Sequence, residues 1–291
     1  MQSQSVQVRA SQSRTDFKNI LVATDFSEAS QIALHYAISV GRLYHSKILI
    51  AHIIHHGALT PVHGESSLSR AEEAMSVFLA GFSFAGVQHE VLMQTGEILP
   101  VISGLVEKRG IDLIVAGTHE RKAATRLLLG SVAEQIFRGV SCPVLTARPD
   151  VDQERSAKGE VKEIVYATDF AAGSLLAWPY ALSMAEAYGA HLTLVHILSD
   201  AIPSSASEGT EASFQEQLKR MLPQDTRISS DAVVRFGEPA AGILEVAKER
   251  DANLIVMGVR QNVSWSAAHL PWAIAYHVVC HSHCPVLTLR G

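Results

Sequence analysis

Residues 112–148 read DLIVAGTHERKAATRLLLGSVAEQIFRGVSCPVLTAR, and the order of features along them decides the fold. Leu113-Ile114-Val115-Ala116 is a short apolar run rich in β-branched residues, as suits a buried parallel strand, and it stops at Gly117, where a glycine lets the backbone turn sharply. Thirteen residues later Gly130-Ser131 precedes Val132-Ala133-Glu134-Gln135-Ile136-Phe137-Arg138, whose apolar spacing predicts an amphipathic helix starting at or near Ser131. A strand, a long loop and Gly-Ser at a helix start form a cradle for phosphate, because the helix N-terminus presents unpaired N–H groups and a partial positive charge. His119, Arg121, Lys122 and Arg126 lie in the loop between, so the stretch favours an anionic ligand.

Upstream, the same alternation of elements recurs. Asn19 to Ala23 reads as a buried strand ending on Thr24-Asp25-Phe26-Ser27, polar residues placed to cap a helix that runs from Ala29. Asp25 then stands at the carboxyl end of the first strand. Lys47–Ile54 and Gln88–Gln94 read as strands, and Ser67–Gly81 and Ile98–Arg109 as helices, the second stopped by Gly110. Strands alternating with helices imply right-handed crossovers and one parallel sheet.

Downstream the pattern is repeated. Ala23-Thr24-Asp25-Phe26 returns as Ala167-Thr168-Asp169-Phe170, His52-Ile53 as His196-Ile197, Gly96-Glu97 as Gly237-Glu238, and Cys142-Pro143-Val144-Leu145-Thr146 as Cys284-Pro285-Val286-Leu287-Thr288. Between the copies, residues 149–160 are polar and charged, as a surface linker should be. The expected organisation is a disordered tail over residues 1–16, a first domain over 17–148, a linker over 149–160 and a second domain over 161–291.

The spacing Gly117-x2-Glu120-x9-Gly130-Ser131, followed by Cys142-Pro143-Val144-Leu145, resembles the G-x2-G-x9-G-S/T nucleotide loop and final strand of the universal stress protein family. One position departs: Glu120 stands where the ATP-binding members carry the middle glycine. The resemblance covers nearly the whole chain as a tandem pair. It implies two Rossmann-like α/β domains, each a five-stranded parallel sheet of order 3-2-1-4-5 flanked by helices, packed through their last strands. It also implies a site in the first domain that binds ATP or another adenine nucleotide, with Mg²⁺ as a companion ion. Ala23, Thr24, Asp25 and Ile53 then frame adenine and ribose, while Gly117, Glu120, Arg126, Gly130, Ser131 and Val132 surround the phosphates. For Asp25 the alternative is a helix cap only, and both roles can coexist.

In the second repeat Pro271-Trp272 replaces Gly130-Ser131, so a backbone donor is lost and bulk is gained. The expectation is a mainly structural second domain whose old pocket is filled by Trp265 and Trp272, with a new apolar ligand site there as the alternative. Pro179 either bends the helix after Ala171 or marks its true start. Cys280-His281-Ser282-His283-Cys284 and the histidines His52, His55, His56 and His63 carry metal-ligand residue types, but core packing and strand-end hydrogen bonding account for them more simply.

Composition narrows the rest. The chain has 291 residues, 47% of them hydrophobic and 18% charged, with a net charge of −5, which gives no basic footprint for nucleic acid. Three cysteines make no disulfide framework, no apolar run reaches the ~20 residues of a membrane span, and the start has no signal-peptide core. A cytoplasmic adenine-nucleotide binder or sensor is expected, with slow ATP hydrolysis as the most chemistry it would do and association into a dimer of chains. A nucleotide-independent interaction scaffold is the alternative.

Overall fold

The computed structural model describes residues 15–54, 67–118, 131–148, 160–199, 204–222, 228–259 and 271–290. In the first half, β1 (Asn19–Ala23), α1 (Glu28–Tyr44), β2 (Lys47–Ile54), α2 (Ser67–Leu79), β3 (Gln88–Thr95), α3 (Ile98–Arg109), β4 (Leu113–Gly117), α4 (Ser131–Gly139) and β5 (Val144–Ala147) follow one another. The second half repeats them as β6 (Glu163–Ala167), α5 (Ala172–Leu175), α6 (Trp178–Tyr188), β7 (His191–Leu198), α7 (Ser204–Met221), β8 (Ser230–Phe236), α8 (Pro239–Glu249), β9 (Leu254–Val259), α9 (Pro271–His281) and β10 (Val286–Arg290).

All ten strands form one sheet of order β3-β2-β1-β4-β5-β10-β9-β6-β7-β8. Each half has the order 3-2-1-4-5 expected from its sequence and is parallel throughout, while β5 and β10 meet antiparallel with Leu145 opposite Leu287. Two terminal strands that would otherwise leave open edges therefore cover each other. Thr146 Oγ1 donates to the Val286 carbonyl and Thr288 Oγ1 to the Val144 carbonyl, each at 3.2 Å, so the seam has a local twofold symmetry. Because the halves run in opposite directions, the carboxyl ends of their strands face opposite ways.

Each face of the sheet carries a core that passes through both halves. One buries Leu34 and Ile38 of α1, Met75 and Phe78 of α2, Met184 of α6 and Leu218 of α7; the other buries Ile102 of α3, Ile136 of α4, Ile243 of α8 and Val278 of α9. The start of the described chain ties the halves together. Phe17 is buried edge-on to Tyr44, with ring centroids 5.3 Å apart, and packs against Tyr180 of α6, while Ser183 Oγ donates to the Thr15 carbonyl at 3.0 Å.

Local signals act as their chemistry requires. Gly110 ends α3 in the left-handed conformation (φ 58°), its N–H bonded to the Val106 carbonyl. Pro179 does not bend a helix: it lies in the first turn of α6, where its missing N–H costs nothing, and the single α1 of the first half becomes the pair α5 and α6.

Candidate functional site

The carboxyl ends of β1 and β4 are neighbours, since Val22 pairs with Val115, and the reversal of strand order between them opens the crevice in which such sheets bind ligands. Ala23 and Thr24 close β1 and are buried, and Asp25 follows as an exposed residue. Its Oδ1 accepts from the Ser27 N–H (3.2 Å), the Ser27 hydroxyl (2.5 Å) and the Ser30 hydroxyl (2.7 Å). Ser27, not Asp25, is the residue that caps α1, accepting from the Ser30 N–H. Asp25 instead braces the cap, with one carboxylate oxygen committed to the turn.

Phe26, between them, has φ 66°, a left-handed backbone that bulky side chains rarely adopt. Its ring stacks on His52 with centroids 4.3 Å apart, and His52 Nδ1 lies 2.8 Å from the Thr24 carbonyl oxygen. A carbonyl accepts only, so Nδ1 carries the proton in this bond. The second half repeats the device in full: Phe170 has φ 59°, packs against His196, and His196 Nδ1 lies 2.7 Å from the Thr168 carbonyl oxygen. The same left-handed phenylalanine beside a histidine thus stands at the end of the first strand in both halves. The repeat of Thr-Asp-Phe and of the β2 histidine was visible in the sequence; the left-handed phenylalanine was not.

Gly117 corrects the sequence reading. It does not have the positive φ of a sharp turn; it is needed because α1 crosses directly over it, and a Cβ there would stand 2.1 Å from the Ala29 carbonyl oxygen. Ile53 is partly buried against the core on the α3 and α4 face. Val132 packs partly buried in the first turn of α4, which begins at Ser131 as expected. Glu120, Arg126 and Gly130 lie outside the described residues, as do Trp265 and the side chains of Ser131 and Trp272.

In the second half, a cavity of about 110 Å³ opens between the ends of β6, β7 and β9 and the starts of α8 and α9. Val195, Met257 and Ile274 are among its walls, and Asp169 with Ser174 lies at its polar end, 2.6 Å apart. The matching positions of the first half are Ala51 and Ala116, both buried, and Val132, because the burial pattern of Val132–Phe137 in α4 repeats at Ile274–Val279 in α9. Two small side chains in the first half thus answer two larger ones, Val195 and Met257, in the second. Burial also lowers the pKa of His196, outweighing the Thr168 carbonyl and Asp169, which act to raise it.

The cysteine–histidine run at the end of α9 serves packing. Ser282 Oγ donates to the Cys284 carbonyl at 2.7 Å and accepts from the Cys284 N–H, and burial pushes the Cys284 thiol up to about 12. Among the described residues no three histidine, cysteine or acidic side chains gather as metal ligands, and no helix is long and apolar enough to cross a membrane. His55, His56 and His63 lie outside the described residues.

Comparison with known proteins matches this architecture twice. The model of the universal stress protein family fits residues 16–148 and again residues 160–290. A protein of Staphylococcus haemolyticus named as a universal stress protein is 31% identical over 142 residues, spanning 46% of this chain and 86% of its own. A universal stress protein of Methanocaldococcus jannaschii is 27% identical over 140 residues, 45% of this chain and 82% of its own. Over the full length, the crystal structure of a universal stress protein from Archaeoglobus fulgidus superposes with a TM-score of 0.72 at 22% identity, covering 94% of this chain and 98% of that one. With one family match in each half, the chain belongs to the universal stress protein family as a tandem member.

Proposed function

We propose that the first domain binds an adenine nucleotide, ATP or one of its breakdown products, with or without Mg²⁺, and that the chain acts as a nucleotide-responsive protein of the cytoplasm. The observation that carries this is the inequality of the two crevices. Ala51 and Ala116 stand where the second domain has Val195 and Met257, which leaves room for a two-ring base beside Ala23 and Ile53. Gly130-Ser131 opens α4 where Pro271-Trp272 opens α9, so the first domain alone has a glycine before the helix and an N–H at every position of its first turn. Arg121, Lys122 and Arg126 add charge of the sign that phosphates need. Nothing in this reading supplies a dedicated base for activating water, so hydrolysis, where it occurs, is slow.

Calorimetric titration of ATP, ADP and AMP into the full chain tests the proposal. One site per chain is expected, and Ala116→Met, which gives the first crevice the side chain of the second, abolishes it while circular dichroism stays unchanged. Two equivalent sites per chain, or full binding by folded A116M, would overturn the assignment.

A further inference from the structure

We propose that the second domain holds a separate site for a small, uncharged, apolar molecule of about one ring. Pockets that enclose drug-sized ligands measure roughly 300–1,000 Å³, and an apolar cavity of ~150 Å³ accommodates benzene. At about 110 Å³ the cavity at the ends of β6, β7 and β9 is too small for a nucleoside and close in size to a single ring.

Ile197, Ile243, Met257 and Ile274 wall the cavity, and no lysine or arginine stands among its described lining residues. The only formal charge that the described lining contributes is the Asp169 carboxylate at one end. An anion entering here loses its hydration, meets a like charge, and finds proline rather than an N–H at the start of α9. A neutral ring loses little on leaving water, and a hydroxyl on it can donate towards the Asp169–Ser174 end.

Simple decay of an unused nucleotide site would leave the small residues in place or close the space. Here two alanine positions, those of Ala51 and Ala116, carry the larger Val195 and Met257, and a cavity remains beside them. Met257 in particular is unbranched and can adapt its shape around a guest.

Methyl NMR on the full chain, labelled at methionine and isoleucine, tests the site with phenol and toluene as probes and benzoate and AMP as controls. The expected result is saturable movement of the Met257, Ile243 and Ile274 methyl signals with phenol and toluene, and binding at least tenfold weaker for benzoate. Met257→Ala should admit the two-ring indole, which the wild-type chain excludes, while Ile274→Trp should remove the phenol response; a folded I274W chain is recognised by unchanged methyl signals in the first domain. The proposal is overturned if neither neutral probe moves these methyls up to its solubility, if benzoate matches phenol, or if AMP shifts Met257.

Discussion

Gly258 lies directly beneath Gly173: a methyl group on Gly258 would stand 2.1 Å from the Gly173 carbonyl oxygen, the same separation found between Gly117 and the carbonyl of Ala29. In both halves the end of the fourth strand is pressed against the backbone of the first helical turn after Thr-Asp-Phe. Real Cβ atoms do not approach a carbonyl so closely, and the obstacle is backbone on each side. Gly117→Ala and Gly258→Ala should therefore each displace that turn and cost on the order of 1–3 kcal/mol, or more if the turn cannot move. Urea unfolding reads the loss directly. Wild-type midpoints for both variants would show that the helices are free to lift.

The caps differ between halves, and that difference is measurable. Ser27 accepts from the Ser30 N–H at the start of α1, whereas the equivalent Ala171 makes no side-chain cap to α5 although its backbone has the same extended conformation (φ −76°, ψ 159°). Ser27→Ala should cost about 1 kcal/mol, and Ala171→Ser should return part of that to the second half. Thermal melts of the two variants should move in opposite directions. If S27A melts with the wild type, Asp25 alone is sufficient to hold the turn.

Acid should weaken the fold through imidazoles whose charged form the folded chain disfavours, above all the buried His196. Burial lowers the pKa of His196 and of His35 below the usual 6.5, so over the interval beneath that value the unfolded chain binds protons that the folded chain refuses. Their contribution is complete above about pH 6.5 and declines as pH falls through it. Asp112 and Glu163 act in the opposite sense nearer the carboxylate range, since burial raises both and their protonation favours the folded state. The difference between wild type and His196→Gln isolates the imidazole: the stability advantage of wild type should shrink as pH drops from 7 towards 5. An advantage that stays constant or grows would contradict the burial of a neutral ring.

The repeat carried most of the fold in plain view, because Ala-Thr-Asp-Phe, His-Ile, Gly-Glu and Cys-Pro-Val-Leu-Thr punctuate alternating strands and helices, and the family resemblance implied the order 3-2-1-4-5 that the sheet has. What could not be read was anything that depends on two elements meeting. Gly117 looked like a turn glycine, since a sequence does not show that α1 passes over it; Asp25 looked like a cap, since only the geometry of Ser27 and Ser30 shows which oxygen reaches the helix N–H. The replacement of Ala51 and Ala116 by Val195 and Met257 was present in the sequence but had no meaning until the sheet placed those positions around one crevice.

Glu120 gives the last prediction, and it rests on charge and backbone freedom. The residue occupies the middle position of the loop between β4 and α4, where the spacing Gly117-x2-Glu120-x9-Gly130 aligns it with a glycine of the family pattern. A carboxylate facing phosphates costs on the order of 1–4 kcal/mol at ~4 Å according to its exposure, and a glycine there restores conformations that glutamate cannot adopt. Glu120→Gly should therefore tighten nucleotide binding, and because repulsion grows with each phosphate, the gain should be largest for ATP and least for AMP. Solvent screening limits it to roughly tenfold, about 1.4 kcal/mol. Titrating the three nucleotides into wild type and variant reads the order. An equal improvement for AMP and ATP, or none at all, would mean that Glu120 does not face the phosphates. A loss of ATP binding confined to solutions containing Mg²⁺ would make the carboxylate a ligand of the metal, which is the one arrangement in which glutamate serves a triphosphate better than glycine.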